Sequence, residues 1–506
     1  MKKKLIALIA VLLLIPAALY ISRIAAGGIN AADVFVCDLQ AERILPYDNN
    51  EGAVYVFLPS FADMSDLAII PKTDMRVDGK SDFDISVLGI NKPHKLSFKV
   101  FGRKTERELI FVKSANTATL FIDTQSGTTD FLDKTKKHRE SVSMRVYNPH
   151  GTVTYNEKNA GTMGGRGNAT WEYEQKKPYS LRLNAPAAFL GMSSSTGWAL
   201  LSNTSDQSNL RNKTVCDFAA RVMPGWTPRS EYVDVYFNGD YRGLYLLTEN
   251  KEVAPGKIDL ASDGKSFLIE SDLSYRSETG VQSFTTSRNK YFKIVFPPKC
   301  TSDQIDFLTS TFQSIEDGLV KDKSAWNIPL DLDSAARRFL IDEIFINSDC
   351  DLGSTFYRVL GDRVYAGPVW DYDNSLGNAA PMIWARTASN PEQIFAVNDE
   401  KHIYEDCSRG RLWYYHMYDN TLFREKIKQL YRDEYRPLLT ELMKEFPAKA
   451  AALKPAAEMN ALRQRELAII IDGEFIPYDK QVAAITDFLT GRVKYLDNAW
   501  LGGEKK

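Results

Sequence analysis

Apolar and polar positions alternate along the first quarter of the chain. The runs Ala53 to Leu58, Asp84 to Leu88, Lys95 to Phe101, Glu108 to Val112 and Thr117 to Ile122 carry the period of two that half-buried strands show, with turn residues between them. They predict a small β-sandwich of immunoglobulin-like type over residues 34–125, unless these strands belong to the next domain. The polar stretch Asp123 to Lys137 reads as its exit linker. Strands predominate again from Ser141 to Asn250, ending in Tyr232 to Phe237, the pair Asn238-Gly239, and Tyr241 to Leu247. An Asn-Gly pair between two such runs predicts a tight hairpin.

Beyond Thr301 the period lengthens. Ile305 to Leu319, Ser334 to Ile346, Leu422 to Glu445 and Gln481 to Trp500 repeat apolar residues every three to four positions, which predicts amphipathic helices. A strand-rich half followed by a helix-rich half predicts an α+β unit of two lobes with a cleft between them.

The amino terminus has a different pattern. Lys2, Lys3 and Lys4 precede an uncharged, mostly apolar run from Leu5 to Ile21, followed by Arg23. Residues 1–28 therefore read as a membrane anchor, or as a signal peptide cut near Ala25, Ala26, Ala31 or Ala32. A buried core helix is equally apolar, but lysines placed directly before the run are the export pattern. The remainder is expected outside the cytoplasm: at the cell membrane if the anchor stays, secreted if it is cleaved.

Composition narrows the choice of partners. A chain of 506 residues with 63 basic and 65 acidic side chains has a formal net charge of -2, so no global field draws it to nucleic acid or anionic lipid. The cysteines, Cys37, Cys216, Cys300, Cys350 and Cys407, are scattered without CxxC or metal-ligand spacing, so neither a disulfide scaffold nor a zinc site is indicated, and export leaves room for a single disulfide.

Three segments place polar groups where strands or helices end. Gly164 to Trp171 (GGRGNATW), followed by Lys176-Lys177-Pro178-Tyr179, is either a tight structural turn or a backbone cradle in which Arg and Lys neutralise phosphate oxygens. Glu343 to Asp351 is a helix end running into acidic and amide groups. There a carboxylate can take a hydroxyl proton and an Asn or second Asp can bind a hard cation, or the residues simply cap the helix. Gly367 to Gly377 (GPVWDYDNSLG) comes directly after the short strand Arg363 to Ala366. On an extended backbone Asp371 and Asp373 would share one side and could hold Mg²⁺ against a phosphate; the bland alternative is an exposed acidic turn.

These segments carry a family resemblance. GRGNATW with KKPYSLRL, then GWALLSNTSDQSNLRN, VYFNGDYRGLYLLTEN, NSDCDLGSTFY and GPVWDYDNSLGN occur in the order and approximate spacing of the CotH family, known from spore coat protein H and its relatives. The stretch from about Ser141 to Trp500 resembles that family. The resemblance implies a divergent, two-lobed protein-kinase-like domain over residues 138–502. It implies binding of ATP with Mg²⁺ or Mn²⁺, and transfer of the γ-phosphoryl group to Ser or Thr of secreted or surface proteins. Under it Asp349 and Asp371 are the catalytic residues, and Asp371, Asp373 and Asn347 the metal ligands. Arg166, Asn168 and Lys177 lie near the phosphates, and Glu249 is an ion-pair partner. HRD, DFG and the usual kinase glycine-rich loop are absent from the sequence. A kinase-like scaffold serving only for surface binding or coat assembly, or transfer of a nucleotidyl group, fits the same segments.

Overall fold

The computed structural model describes residues 30–100, 103–173, 175–272, 280–378, 387–397, 411–464 and 476–502. The apolar run Leu5 to Ile21 and Cys407 lie outside them. Among the described residues no helix is long and apolar enough to cross a membrane, and Cys37, Cys216, Cys300 and Cys350 are free thiols.

The chain is a mixed α+β structure. The first strands are β1 (Phe35–Leu39), β2 (Glu42–Ile44), β3 (Tyr47–Asp48), β4 (Ala53–Leu58), β5 (Leu67–Pro71), β6 (Met75–Val77), β7 (Pro93–Val100) and β8 (Arg103–Lys113). They form two sheets, ordered β2-β1-β5 and β3-β4-β8-β7-β6. Cys37 and Leu39 from one, and Val56, Leu96 and Phe111 from the other, meet in a single buried cluster. Asp84 to Leu88, expected as a strand, is instead a 3-10 turn over Ile85–Val87. The Asp84 carboxylate accepts the Ser86 N–H at 2.9 Å, and such a local side-chain bond outcompetes a ladder.

A closed barrel comes next, built from β9 (Ala118–Thr124), β10 (Arg139–Tyr147), β11 (Val153–Gly165), β12 (Tyr179–Ala187), β13 (Ser195–Leu201), β14 (Ser230–Phe237) and β15 (Asp240–Glu249). Its order is β10-β11-β12-β13-β15-β14-β9. Leu120, Met144, Leu181, Trp198, Val235 and Leu247 fill the interior. Thr117 to Ile122, expected as the closing strand of the first unit, therefore belongs to the barrel. It pairs with β10 on one side and, in parallel, with β14 on the other. The stretch Asp123 to Lys137 is accordingly a connection inside the barrel, carrying the short helix α1 (Asp130–Lys134). At the predicted hairpin Asn238 and Gly239 take φ of 52° and 87°, the left-handed pair that a two-residue turn between twisted strands requires.

A further five-stranded sheet, β17-β18-β16-β19-β20, contains β16 (Ser266–Ser271), β17 (Ser283–Thr285), β18 (Tyr291–Phe296), β19 (Thr355–Leu360) and β20 (Arg363–Ala366). The helices are α2 (Ala169–Tyr173) and α3 (Arg211–Ala219), between barrel strands, then α4 (Ser302–Lys321), α5 (Leu332–Ile344), α6 (Leu412–Asp419), α7 (Thr421–Leu430), α8 (Arg436–Gln464) and α9 (Tyr478–Leu496). Thr301 and Gln304 close a capping box on α4, and Asp331 caps α5. The predicted helix Leu422 to Glu445 is divided by a π-helical segment at Tyr431–Tyr435.

The parts are fastened to one another. Glu42 of β2 accepts from Arg145 Nε at 2.5 Å and from Tyr147 at 2.8 Å on the barrel wall. The long helix α8 reaches back to the barrel, where Asn460 Oδ1 accepts from Leu244 N and from Lys176 Nζ, each at 3.0 Å. Arg463 of α8 donates to Tyr241 O at 2.8 Å and lies 4.1 Å from the Tyr47 ring centroid in the first unit.

Candidate functional site

Helix α5 ends where the acidic loop begins, and its last turns anchor both acidic segments. Inside it Arg338 and Asp342 form a buried pair at 2.8 Å. Asp342 also accepts from Tyr372 at 2.7 Å and from Tyr414 at 2.5 Å, which pins the WDYD segment to the helix. Beyond the helix the backbones of the two acidic segments join. Ser348 N donates to Asn374 O at 3.0 Å, Leu376 N to Phe345 O at 2.7 Å, and Asn374 Nδ2 to Asp349 Oδ2 at 3.2 Å. Arg411 holds the loop from behind through Ser348 O and Cys350 O. Asp349 is half-buried at the edge of this arrangement, whereas Asn347 is turned inward and buried. Its amide oxygen accepts from Asp349 N at 3.1 Å and its nitrogen lies 3.5 Å from Asp342. Asn347, read as a metal ligand, is thus spent on shaping the loop, and Asn374 is the amide beside Asp349. Asp351 is buried against Lys290 at 2.7 Å. Burial raises its carboxyl above the usual range despite that lysine.

The WDYD segment is not extended. Asp371 takes φ of 69°, in the left-handed region, so the expected alternation fails and the two carboxylates find separate partners. Asp371 is exposed, with Oδ2 accepting from Ser354 Oγ at 3.3 Å. Asp373 is buried, with Oδ2 accepting from Ser205 Oγ at 2.5 Å. The backbone between them is fixed by Tyr372 N donating to Asn212 Oδ1 of α3 at 2.6 Å. Ile346, Asp351 and Ser354, with φ of 46°, 61° and 46°, share the left-handed conformation of Asp371. For a β-branched residue such as Ile346 that is strained, and clusters of this kind collect at functional sites.

The glycine-bearing segment behaves as a structural turn over most of its length. A Cβ on Gly165 would come within 2.2 Å of the Trp171 ring, and one on Gly164 within 2.7 Å of Arg139, so the chain's own side chains take the space the glycines leave. Lys177 donates to Trp171 O at 2.6 Å, at the end of α2, and sits 5.3 Å from that indole centroid. Asn168 is exposed, and its carbonyl receives Trp171 N at 3.1 Å. Glu249 is fully buried under Ser193 N (2.7 Å), Trp226 Nε1 (3.0 Å) and Arg229 (3.1 Å). Its burial favours the neutral acid, but these donors outweigh it and hold the carboxyl below the usual range. Lys177, read as a phosphate-side group, thus serves a local bond, and Glu249, read as an ion-pair partner, pairs with Arg229. Arg166 does reach the acidic segments, its guanidinium lying 5.7 Å from the Trp370 ring centroid.

Residues 165–496 match the family described as CotH kinase protein. The chain belongs to that family. No curated protein matches it. The CotH match starts at the last residue of β11, so β9 and β10, without which the barrel does not close, lie ahead of it.

Beside Trp370 lies an ionic group that the sequence pattern did not reveal. Lys251, just after β15, lies 3.2 Å from Glu270 Oε1 of β16 and 4.8 Å from the Trp370 ring centroid. Its burial lowers the ammonium below the ordinary lysine value, an effect that Glu270 and Asp371 oppose and Arg166 reinforces. The signal in the sequence was Glu270 itself, a carboxylate inside the apolar run Ser266–Ser271, whose burial demands a cation. Around Trp370 the chain thus places Arg166 and Lys251, with Glu270 bonded to Lys251 and Asp371 next in sequence, while Asp349 is bonded by Asn374 and Asp373 by Ser205. Of the carboxylates here Asp371 is the exposed one, an oxygen donor of the kind a hard cation takes. Among the described residues no three His, Cys, Asp or Glu side chains form a metal cluster by themselves. Mg²⁺ is commonly held by one or two carboxylates, with phosphate and water supplying the rest.

Proposed function

We propose that this CotH family member is a metal-dependent protein Ser/Thr phosphotransferase acting outside the cytoplasm on secreted or surface proteins, behind the membrane segment read in residues 1–28. The observation that carries the reading is the placement of Arg166 against Trp370, the residue directly before Asp371, with Asp349 tied to the same segment through Asn374. In this reading the closed barrel of β9 to β15 forms one lobe of a kinase-like domain, the sheet β17-β18-β16-β19-β20 with the helices that follow forms the other, and the acidic segments lie at their junction.

Asp349 is the proton acceptor for a Ser or Thr hydroxyl, its orientation set by the Asn374 amide. Asp371, with one oxygen engaged by Ser354, holds Mg²⁺ or Mn²⁺, and the buried Asp373 supports the segment through Ser205. Arg166 neutralises phosphate charge in a site where positioning and charge balance do most of the work. ATP with the metal supplies the γ-phosphoryl group. The test is incubation of the purified full-length chain with labelled ATP, Mg²⁺ or Mn²⁺ and acceptor proteins from the native envelope. Incorporation that disappears in Asp371→Ala supports the reading, and incorporation indifferent to that change overturns it.

A second reading, a surface-binding or coat-assembly protein without turnover, draws on the glycine turn, whose space Trp171 and Arg139 fill. Thermal stabilisation by ATP with Mg²⁺ separates the two, since a scaffold without a nucleotide site gives none.

A further inference from the structure

Carbonyl oxygens of the acidic loop are taken up by two buried cations. Arg411 donates to Ser348 O at 2.7 Å and to Cys350 O at 3.2 Å. Lys290 Nζ donates to Asp351 O at 2.8 Å and to Asp351 Oδ1 at 2.7 Å, with 3% of the lysine side chain exposed and none of the aspartate's. The lysine is firmly seated. It closes a reverse turn ahead of β18, in which Thr286 N donates to Lys290 O at 3.1 Å. Glu316 of α4 fixes that turn by accepting from Thr286 Oγ1 at 2.9 Å and from Arg288 N at 3.2 Å. At the other end of the contact Asp351 takes φ of 61°, a conformation that costs energy for a residue with a Cβ, and the bonds from Lys290 hold it there. The amides that follow, Leu352 N and Gly353 N, both donate to Asp349 O at 3.0 Å. The ammonium thus grips the middle of a turn whose closing bonds end on Asp349.

We propose that Lys290 is a positioning residue of the transfer site, holding Asp351 in its left-handed turn and, through that turn, setting the Asp349 carboxylate. The assignment rests on the phosphotransferase reading, in which Asp349 accepts the hydroxyl proton. Lys290 is enclosed, with the rings of Trp413 and Phe292 centred 5.4 and 5.9 Å from its Nζ, so it acts through the loop backbone. A proton acceptor works only within hydrogen-bond reach of the hydroxyl, so a turn that relaxes by about 1 Å lowers the rate and leaves nucleotide affinity alone. A mere counter-charge for Asp351 would act on stability instead, which gives the two roles separate readouts.

The experiment compares full-length wild type with Lys290→Met and with the double variant Lys290→Met/Asp351→Asn, which removes both buried charges. Two quantities are read: label transfer from ATP with Mg²⁺ or Mn²⁺ to native-envelope acceptors as ATP is varied, and hydrogen–deuterium exchange of the peptide spanning residues 347–354. In Lys290→Met kcat falls roughly 100-fold, with KM for ATP within about twofold of wild type. The amides of Leu352 and Gly353 exchange about tenfold faster or more, as loss of charge-assisted bonds predicts, while β18 keeps its protection. The double variant, free of a lone buried charge, unfolds nearer the wild-type midpoint but recovers neither kcat nor protection. Full kcat and protection in either variant overturn the assignment and leave Lys290 a counter-charge. A wild type that transfers no label overturns the phosphotransferase reading instead, and the exchange comparison still decides whether Lys290 holds the turn. If Lys290→Met does not fold, the double variant decides by the same two quantities.

Discussion

Two groups of ionised side chains lie within a few residues of each other, and they are built on opposite rules. Beneath the acidic loop, Asp342 is ringed by Arg338, Tyr372 and Tyr414, all buried, so each of its oxygens is answered from inside the protein. Around Trp370, Asp371 is exposed and Lys251, bonded to Glu270, is only partly covered. The first group fixes positions and the second has bonding capacity to spare. A charged residue near a site is therefore judged by whether its bonds are already filled, more than by its proximity to a motif.

The sharpest way to break this contrast is to remove Asp342. Asp342→Ala leaves the Arg338 guanidinium buried without its carboxylate and frees two tyrosine hydroxyls, so urea unfolding should show a loss of about 3–5 kcal/mol. Asp371→Ala should do the reverse. Its unfolding midpoint should remain near wild type, while phosphate incorporation falls roughly 100-fold or more. If the two variants instead lose stability alike, the division between them is wrong.

A buried carboxylate outside both groups asks whether burial alone marks a site. Asp234 of β14 is fully buried and its carboxyl is pushed up to about 7 by desolvation, against hydrogen bonds from Ser114 and Tyr241 and the charge of Lys176. Its Oδ2 and the Thr119 hydroxyl, which belongs to its register partner on β9, lack protein partners. The folded chain thus holds a proton that the unfolded chain releases near pH 4. The associated stability is complete below that pH and is lost as pH rises towards 7. Unfolding free energies from urea titrations at pH 4 to 7 should fall for wild type by about 2 kcal/mol more than for Asp234→Asn. The smallest effect is expected at Lys177. Lys177→Met removes a local cap on a short helix and should cost under about 1 kcal/mol, with nucleotide-induced shifts unchanged.

Much of the local structure was legible because the deciding signals were local. The Asn238-Gly239 hairpin, the capped start of α4 and the short strand Arg363 to Ala366 each arise from neighbouring residues. Closure of the barrel was not legible, since it depends on a parallel pairing between Ala118 and Val233 that no local pattern announces. In the site, Arg166, Asp349 and Asp371 were picked out by the segments that contain them. The geometry assumed for Asp371 and Asp373 failed because an aspartate tolerates the left-handed conformation that breaks alternation. Lys251 escaped notice because its meaning comes from Glu270, Phe356 and Trp370, which lie on three other stretches of chain.

The clasp made by Asn460 also sets a timetable for folding. Lys176 and Leu244 share an acceptor that emerges from synthesis only after more than 200 further residues, so the barrel rim stays unfastened until the chain is nearly complete. Ordering that waits on so distant a partner is slow, and a nascent chain ending before Asn460 lacks this latch between its early strands and its late helices.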